Sequence, residues 1–360
     1  MTKRYIYKLQ FATRYVIIGV DMKSFTCLLD LVWVLLGLYL IDWRNIVEAN
    51  LIDLNHYAVK TTLKTLLQDK TTKKNIIWAT NSYEDYGPEY KDSKQITIGT
   101  LIGLKPMTLQ PRVLKKLDEQ QDRTHKRAEV MTPSWLCNAM NNVCDKEWFG
   151  DKCVFNVETQ NGWITNERPI PFKDDKSWHK YIDLRRLEVT CGEAPYIVSR
   201  YDTTTGKVIE PPTHRIGFLD RKIRVVNENT LTEEEWFYWV VRAYQSSYGF
   251  EFQGDNLLIA RINLLMTFVD NMQFKWHRDP SKSELNKIAN IIAWNIFQMD
   301  GLTDTVPLGI PQPAFEEVSL FELYEPDSKL DDKQIAPKCL IYDWRQMKSQ
   351  TFESLKKERN

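Results

Sequence analysis

The sequence has no Cys-x-x-Cys pair, no His-Glu-x-x-His and no Gly-x-Ser-x-Gly. These absences remove the thioredoxin-like redox motif, the zincin metalloprotease and the serine-hydrolase nucleophile elbow. Of the six cysteines, Cys137, Cys144 and Cys153 are too widely spaced, and lack a nearby His pair, for a standard zinc site. Free thiols in a reducing cytoplasm are the expectation. The five histidines (His56, His125, His179, His214, His277) are scattered. Charge of one sign is also missing: Lys+Arg and Asp+Glu both number 48, for a net charge of +0. The total therefore gives no pointer to nucleic acid, although a basic cleft balanced by acidic surface would leave it unchanged. Internal repeats and low-complexity segments are absent. One long apolar run exists, Phe25 to Ile41, 17 residues interrupted by Asp30. It is at the short edge for a membrane span, and a mid-span carboxylate costs roughly 2.5–3.5 kcal/mol. It also lacks the small-residue cleavage pattern of a signal peptide. A cytoplasmic protein with no membrane anchor is expected.

What remains is enough for a packed core. The 360 residues allow one large domain or two ordinary ones, and 43% are hydrophobic. Twelve Trp and sixteen Tyr supply core volume and some rings for stacking on flat ligands. Four regions follow: an apolar appendage over 1–42, a helical and strand segment over 43–125, a cofactor-binding domain over 126–305 and an extension over 306–360. Apolar spacing through Ile46, Leu51, Leu54, Leu63 and Leu67 predicts helix over 43–68. Asn75 to Thr80 reads as a strand and residues 113–127 as a charged, exposed helix. Pro133 and Ser134 start a helix that holds Trp135, Leu136, Ala139 and Met140. Residues 157–180 and 203–212 read as loops. Two capping boxes, Thr232 with Glu235 and Ser281 with Glu284, open later helices. Tyr248 to Phe252 alternates like a strand, Leu257 to Val269 is a strongly apolar helix, and Asn295 to Met299 returns to the sheet. Strands alternating with helices predict an α/β domain with a mostly parallel sheet.

Four short segments in order carry the chemistry. The most informative is Leu187 to Tyr196 (LEVTCGEAPY), a strand with a carboxylate that breaks into a small-residue turn. Arg127 to Pro133 precedes it; Tyr248 to Asp255 and Asn295 to Leu302 follow. A cofactor with an adenosine half needs a turn whose backbone comes close, a carboxylate for the ribose and an edge contact for the adenine. Thr190 to Ala194, with Gly192, fits the turn; Glu251 fits the ribose and Asp300 the adenine amino group.

These segments resemble the γ-class DNA adenine-N6 methyltransferases, and among them a bacterial group labelled restriction endonuclease subunit M. The family order is a Thr-Pro segment, an Asp-Pro-x-x-Gly-x-Gly loop, Gly-x-Asp, then Asn-Ile-x-x-Gly-Asp. This chain offers Arg127-Ala128-Glu129-Val130-Met131-Thr132-Pro133, Glu188-Val189-Thr190-Cys191-Gly192-Glu193-Ala194, Gly249-Phe250-Glu251 and Asn295-Ile296-Phe297-Gln298-Met299-Asp300. The resemblance runs from about Trp43 onward. It implies a Rossmann-like, S-adenosylmethionine-dependent methyltransferase domain with N- and C-terminal extensions, acting on DNA within a restriction-modification system, with a restriction or specificity subunit as partner. It also implies roles: Thr132 and Pro133 against the methionine part, Glu188, Cys191 and Gly192 as the cofactor turn, Glu251 on the ribose, Asp300 on the adenine.

The sequence departs from the family at several points. Glu stands for Asp at 188 and Ala194 for the last glycine, and the interval from Glu188 to Glu251 far exceeds the roughly 20 residues of a minimal dinucleotide unit. The catalytic Asn-Pro-Pro-aromatic tetrad, which takes the flipped base, has no match; Gln312-Pro313-Ala314-Phe315 is the nearest approach, with Gln312 and Phe315 as its only candidates. Two readings follow, an adenine methyltransferase or an inactive cofactor-binding subunit that binds DNA or a partner protein. A third, a Mg²⁺ nuclease using Asp69 and Glu89-Tyr90-Lys91, is disfavoured because Glu89 follows Gly87-Pro88 in a polar loop.

Overall fold

The computed structural model describes residues 51–103, 107–127, 129–150, 152–309 and 336–357. The apolar run at 25–41 and the candidates Gln312 and Phe315 lie outside the described residues. The elements are α1 (Tyr57–Leu66), α2 (Ile98–Ile102), α3 (Leu117–Arg127), α4 (Ser134–Phe149), β1 (Asn156–Thr159), β2 (Gly162–Thr165), α5 (Asp175–Ile182), β3 (Arg186–Glu188), α6 (Phe218–Asn229), α7 (Glu233–Gln245), β4 (Ser247–Glu251), α8 (Gly254–Trp276), α9 (Lys282–Asn295), β5 (Ile296–Gln298), β6 (Leu340–Asp343), β7 (Lys348–Thr351) and α10 (Phe352–Lys357). The architecture is mixed α/β.

Three parallel strands, in the order β3-β4-β5, position the site. All of β4 is buried, as a strand with neighbours on both sides requires. Its side chains alternate. Tyr248 and Phe250 join Phe297, Ile341 and Phe352 in one apolar cluster; Gly249 and Glu251 face the other way. The larger core runs from Ile52 to Ile296 and is built mainly on α1, α6, α7, α8 and α9. Helix α8 is buried almost all round, so it is the central pillar, as its continuous apolar composition demands. It stops at His277, which takes a left-handed backbone (φ 53°). The Ser281–Glu284 capping box is formed in full at α9. At α7 the Thr232 hydroxyl accepts from the Glu235 N–H.

Several expectations need correction. Residues 51–56 are not helical, and α1 starts only at Tyr57, where the His56 ring accepts from the Ala58 N–H. Asn75 to Thr80 forms isolated bridges, Asn75 with Gln68 and Ile77 with Gln95, instead of a strand. Residues 157–180 are not mainly loop. Asn161-Gly162 is the tip of the β1–β2 hairpin, where Asn161 has the positive φ such tips require, and α5 follows. The charged run over 113–127 is helical from Leu117, but Lys115 and Arg123 are buried. Helix α6 was hidden by its charges: Arg221, Lys222 and Arg224 are all buried, on Asp145, on the Leu184 carbonyl and on Glu228 respectively. Among the described residues no helix is long and apolar enough to cross a membrane.

Candidate functional site

The site lies at the carboxyl end of the parallel sheet. β3 ends at Glu188, and the chain then turns back over the end of β4. In this turn Thr190 (φ 48°), Gly192 (φ 52°) and Ala194 (φ 67°) are all left-handed. Glycine adopts that conformation freely, whereas a β-branched threonine does so only where its surroundings impose it. The imposing bonds are backbone ones: Cys191 N donates to Phe250 O (2.8 Å), and Ala194 N to Cys191 O (2.7 Å). Gly192 N donates to Glu251 Oε2 (2.9 Å). This close approach depends on a second glycine. A Cβ at Gly249 would sit 2.9 Å from Ile197 Cδ1 and 3.3 Å from Cys191 Sγ. Gly249→Ala is therefore expected to destabilise the fold by about 1–3 kcal/mol; an unchanged urea midpoint would show that the turn lifts without cost.

Both carboxylates at the sheet end are buried. Glu188 accepts from Ile197 N (3.1 Å) and Tyr196 N (3.4 Å). Burial raises it well above the usual carboxylate range, against the pull of those two N–H groups. Glu251 accepts from Gly192 N and Gln253 N (3.1 Å). Burial pushes it up to about 7, the two N–H donors oppose this, and the charges of Glu129 and Asp255 add to it. The Cys191 thiol is raised well above its ordinary value by burial and by both glutamates, so it is a protonated packing group.

The Thr-Pro segment comes to the same place. The Met131 side chain lies over Gly192, with Sδ and Cε 3.7 Å from where a Cβ would be. The Thr132 carbonyl accepts from Thr203 Oγ1 (3.0 Å), and Pro133 precedes the first turn of α4, whose Ser134 N is held by Asp202 (2.7 Å). Glu188, Cys191, Gly192 and Glu251 thus lie together at the sheet end, and Thr132 and Pro133 follow Met131, the residue that reaches Gly192. Asp300 follows β5, and Met299 N donates to Glu251 O (3.0 Å), so its backbone is adjacent. Its carboxylate, however, accepts from Leu302 N (2.9 Å) and closes its own turn.

Sequence reasoning missed the polar network behind Glu251. Glu129 accepts from Arg123 Nε (2.8 Å), Gln253 Nε2 (3.0 Å) and Asn256 Nδ2 (2.9 Å), with Arg112 Nη1 at 3.1 Å. Asp255 accepts from Tyr83 Oη (2.7 Å) and Lys115 Nζ (3.0 Å), and pairs with Arg123 Nη1 (2.9 Å). Burial alone would raise Asp255, but Arg123 and Lys115 hold it far below the carboxylate range. Gln253 links the two halves: its backbone N–H is on Glu251 and its amide on Glu129. Arg123 in turn lines an open cavity of about 520 Å³ with Thr80, Asn81, Ser82, Asp118, Glu119 and Asp122. An available signal was Asp255, an acid just ahead of the apolar run that begins at Leu257.

Asp69 is occupied in its own loop, accepting from Thr71 N, Thr72 N and Thr72 Oγ1. Among the described residues no group of three or more His, Cys, Asp or Glu is arranged to hold a metal ion. Compared with protein-family profiles, with curated proteins and with solved structures, the chain matches none.

Proposed function

We propose that this chain is an S-adenosylmethionine-dependent, DNA adenine-N6 methyltransferase-like protein with a Rossmann-like cofactor domain, working within a restriction-modification system. The observation that carries the reading is the bond from Gly192 N–H to Glu251 Oε2, which joins the turn after one parallel strand to the acid ending the next. In open α/β sheets that edge is where nucleotide cofactors sit. The residues fit the group. Above Gly192 only the flexible Met131 side chain comes within van der Waals range of an added carbon. Glu251 has used one lone pair on each oxygen and has capacity for both ribose hydroxyls.

When bound, S-adenosylmethionine supplies an electrophilic methyl group. The chain's own part is to bind and orient. Glu251 holds the diol, the Gly192 backbone lets the cofactor come close, and Met131 to Pro133 cover it. Asp300 would meet the adenine amino group with the carboxylate oxygen that its bond to Leu302 N does not use. The second reading, an inactive cofactor-binding subunit, is favoured by one specific fact: no Asn-Pro-Pro-aromatic segment occurs in the sequence.

Calorimetric titration of the full chain with S-adenosylmethionine and its demethylated product tests the proposal. Saturable heat and a thermal shift are expected. No heat and no shift at millimolar cofactor would sink it. With labelled cofactor and mixed-sequence DNA, the chain alone is expected to transfer little or no methyl group, since nothing assigned to the site holds and stacks an extruded base; robust transfer favours the fully active enzyme.

A further inference from the structure

We propose that a row of three rings, Trp294, Tyr342 and Trp344, with lysines at one end, binds single-stranded nucleic acid at the amino end of the parallel sheet, apart from the candidate cofactor site. The row is built by α9 and the β6–β7 hairpin. Trp294 is in the last turn of α9 and Tyr342 is on β6, with ring centroids 5.1 Å apart. Trp344 continues the row, 4.5 Å from Tyr342. Its indole N–H donates to Asn295 Oδ1 (2.8 Å), and the Asn295 amide donates to the carbonyls of Tyr244 and Ser247. Those bonds fix the row beside the first residue of β4. Glu251 ends the same strand, four residues further along, roughly 13 Å away at the usual strand rise.

All three rings are half-buried. Trp344 backs both apolar clusters, but Trp294 and Tyr342 belong to neither. What Trp294 meets instead is positive charge: Lys70 Nζ and Lys73 Nζ stand 5.9 and 5.5 Å from its ring centroid. The loop that carries these lysines is fastened on two sides, by Lys70 Nζ on Asn290 Oδ1 (3.0 Å) of α9 and by Leu340 N of β6 on Thr71 Oγ1 (3.0 Å). Both ammonium groups bond neutral oxygens, Lys70 also on Gln68 Oε1 (2.9 Å) and Lys73 on the Lys70 carbonyl (2.8 Å). Asp69, the acid of that loop, is spent on Thr71 and Thr72. Burial, Arg261 and Lys73 all lower the Lys70 ammonium, so an anion laid beside it relieves a crowded charge. At the other end Arg345 follows Trp344, and Arg185, Arg242 and Arg345 share two carboxylates, Asp343 and Asp183. Positive charge is in excess at both ends of the row.

The occupant follows from charge and ring spacing. A group of rings alone would also suit a quaternary ammonium, but two lysines without a carboxylate repel a cation. Half-buried rings do not project far enough to anchor among lipid headgroups, where Trp and Tyr otherwise sit. A nucleic-acid strand brings what the strip can hold: flat bases for the rings and phosphates for the ammonium groups. The ring steps of 5.1 and 4.5 Å exceed the roughly 3.4 Å between nucleotides along a duplex strand. Splayed bases of a single strand therefore fit, and paired bases do not.

The test is fluorescence anisotropy of the full chain with a labelled oligothymidylate of about twelve nucleotides, the same strand made abasic, and its duplex. Micromolar binding of the base-bearing strand is expected, with the abasic strand and the duplex each weaker by about tenfold or more. Trp294→Ala should lose a similar factor and Trp294→Phe should recover most of it, with thermal midpoints confirming that both fold. Lys70→Gln combined with Lys73→Gln should make the logarithmic salt dependence shallower by about 1.4, for two phosphates of a single strand. Trp239→Ala, which removes a half-buried ring of α7 stacked on His179, should bind like the parent. No binding up to about 100 μM, the weak edge of ordinary non-specific association, overturns the inference. So does equal affinity for the abasic strand or the duplex, an unchanged salt slope, binding that survives Trp294→Ala, an equal loss in Trp239→Ala, or capture by phosphatidylserine vesicles in place of the strand. If Trp294→Ala does not fold, the abasic comparison and the double lysine variant decide. The assay contains no S-adenosylmethionine, so its outcome is separate from that of the methyltransferase reading.

Discussion

Asp255→Ala is expected to cost the fold about 3–5 kcal/mol, the loss typical of removing one partner from a buried ion pair. Asp255 is fully buried and meets Lys115 and Arg123, which are buried themselves. Truncation leaves the Lys115 ammonium with the Tyr83 hydroxyl and the more exposed Glu119, while Arg123 keeps Glu129. The asymmetry matters: the intact cluster contributes little net, but a cation stranded away from water is costly. Tyr83→Phe, which removes one neutral donor, should cost only about 1 kcal/mol. Guanidinium denaturation of the three proteins measures both; an Asp255→Ala loss no greater than that of Tyr83→Phe would remove the cluster from the fold's foundations. A pH signature accompanies it. The folded protein holds Asp255 far below its unfolded value, so its contribution is complete above the ordinary carboxylate range and is lost as pH falls through the lowered value. The variant should lack that part of the acid sensitivity.

Glu251→Ala should weaken S-adenosylmethionine binding on the order of a hundredfold or more, from two hydrogen bonds to an anionic acceptor at roughly 1.5–3 kcal/mol each. The same residue makes affinity depend on pH in a definite direction. Diol donors favour the ionised carboxylate, and Glu251 is held at about 7 in the free protein. Binding should therefore tighten as pH rises toward 7 and level off above it, falling about tenfold per pH unit below. Stability runs the opposite way. With its folded value raised above the ordinary range of about 4.5, Glu251 contributes most at low pH, and that contribution fades as pH rises through about 7. Glu251→Gln should flatten both profiles. Parental affinity in Glu251→Ala, by calorimetry at pH 8, would remove Glu251 from the cofactor site.

The parts of this fold that were legible in the sequence are those governed by local chemistry. Ser281 and Glu284 announce the start of α9 because both halves of a capping box lie within one turn. The strand at Tyr248 and the helix after Leu257 are legible because their apolar content leaves few alternatives. The turn at Gly192 was legible for a similar reason: small residues end a β-branched run. What stayed hidden depends on distant partners. Nothing near Arg123 reveals that Asp255 will meet it, and charges on α6 look like a solvated face until Asp145 and the Leu184 carbonyl are brought to them. Gln253 joins Glu251 to Glu129 only after β4 and α8 have placed it. Asp300 was read as a ligand contact at the end of a strand, and nothing nearby in the sequence announced that one of its oxygens would also accept from the Leu302 N–H.

The parallel register has a bearing on how the molecule comes together in time. The hairpins β1–β2 and β6–β7 close over a few residues, whereas the sheet joins Arg186 to Ser247 and Gly249 to Ile296. Such pairings bear the loop-closure entropy of the intervening helices before any contact rewards it, which makes them slow steps. Glu188 takes its donors from the turn that follows it and Glu251 one from Gln253, but the Gly192 N–H reaches Glu251 only once β3 and β4 are side by side. On a ribosome the carboxyl-terminal strand of the trio emerges long after the first, and until β5 arrives the central strand has one flank open. The Gly192–Glu251 bond thus belongs to a stretch that runs at least from β3 through β4 and to no local turn.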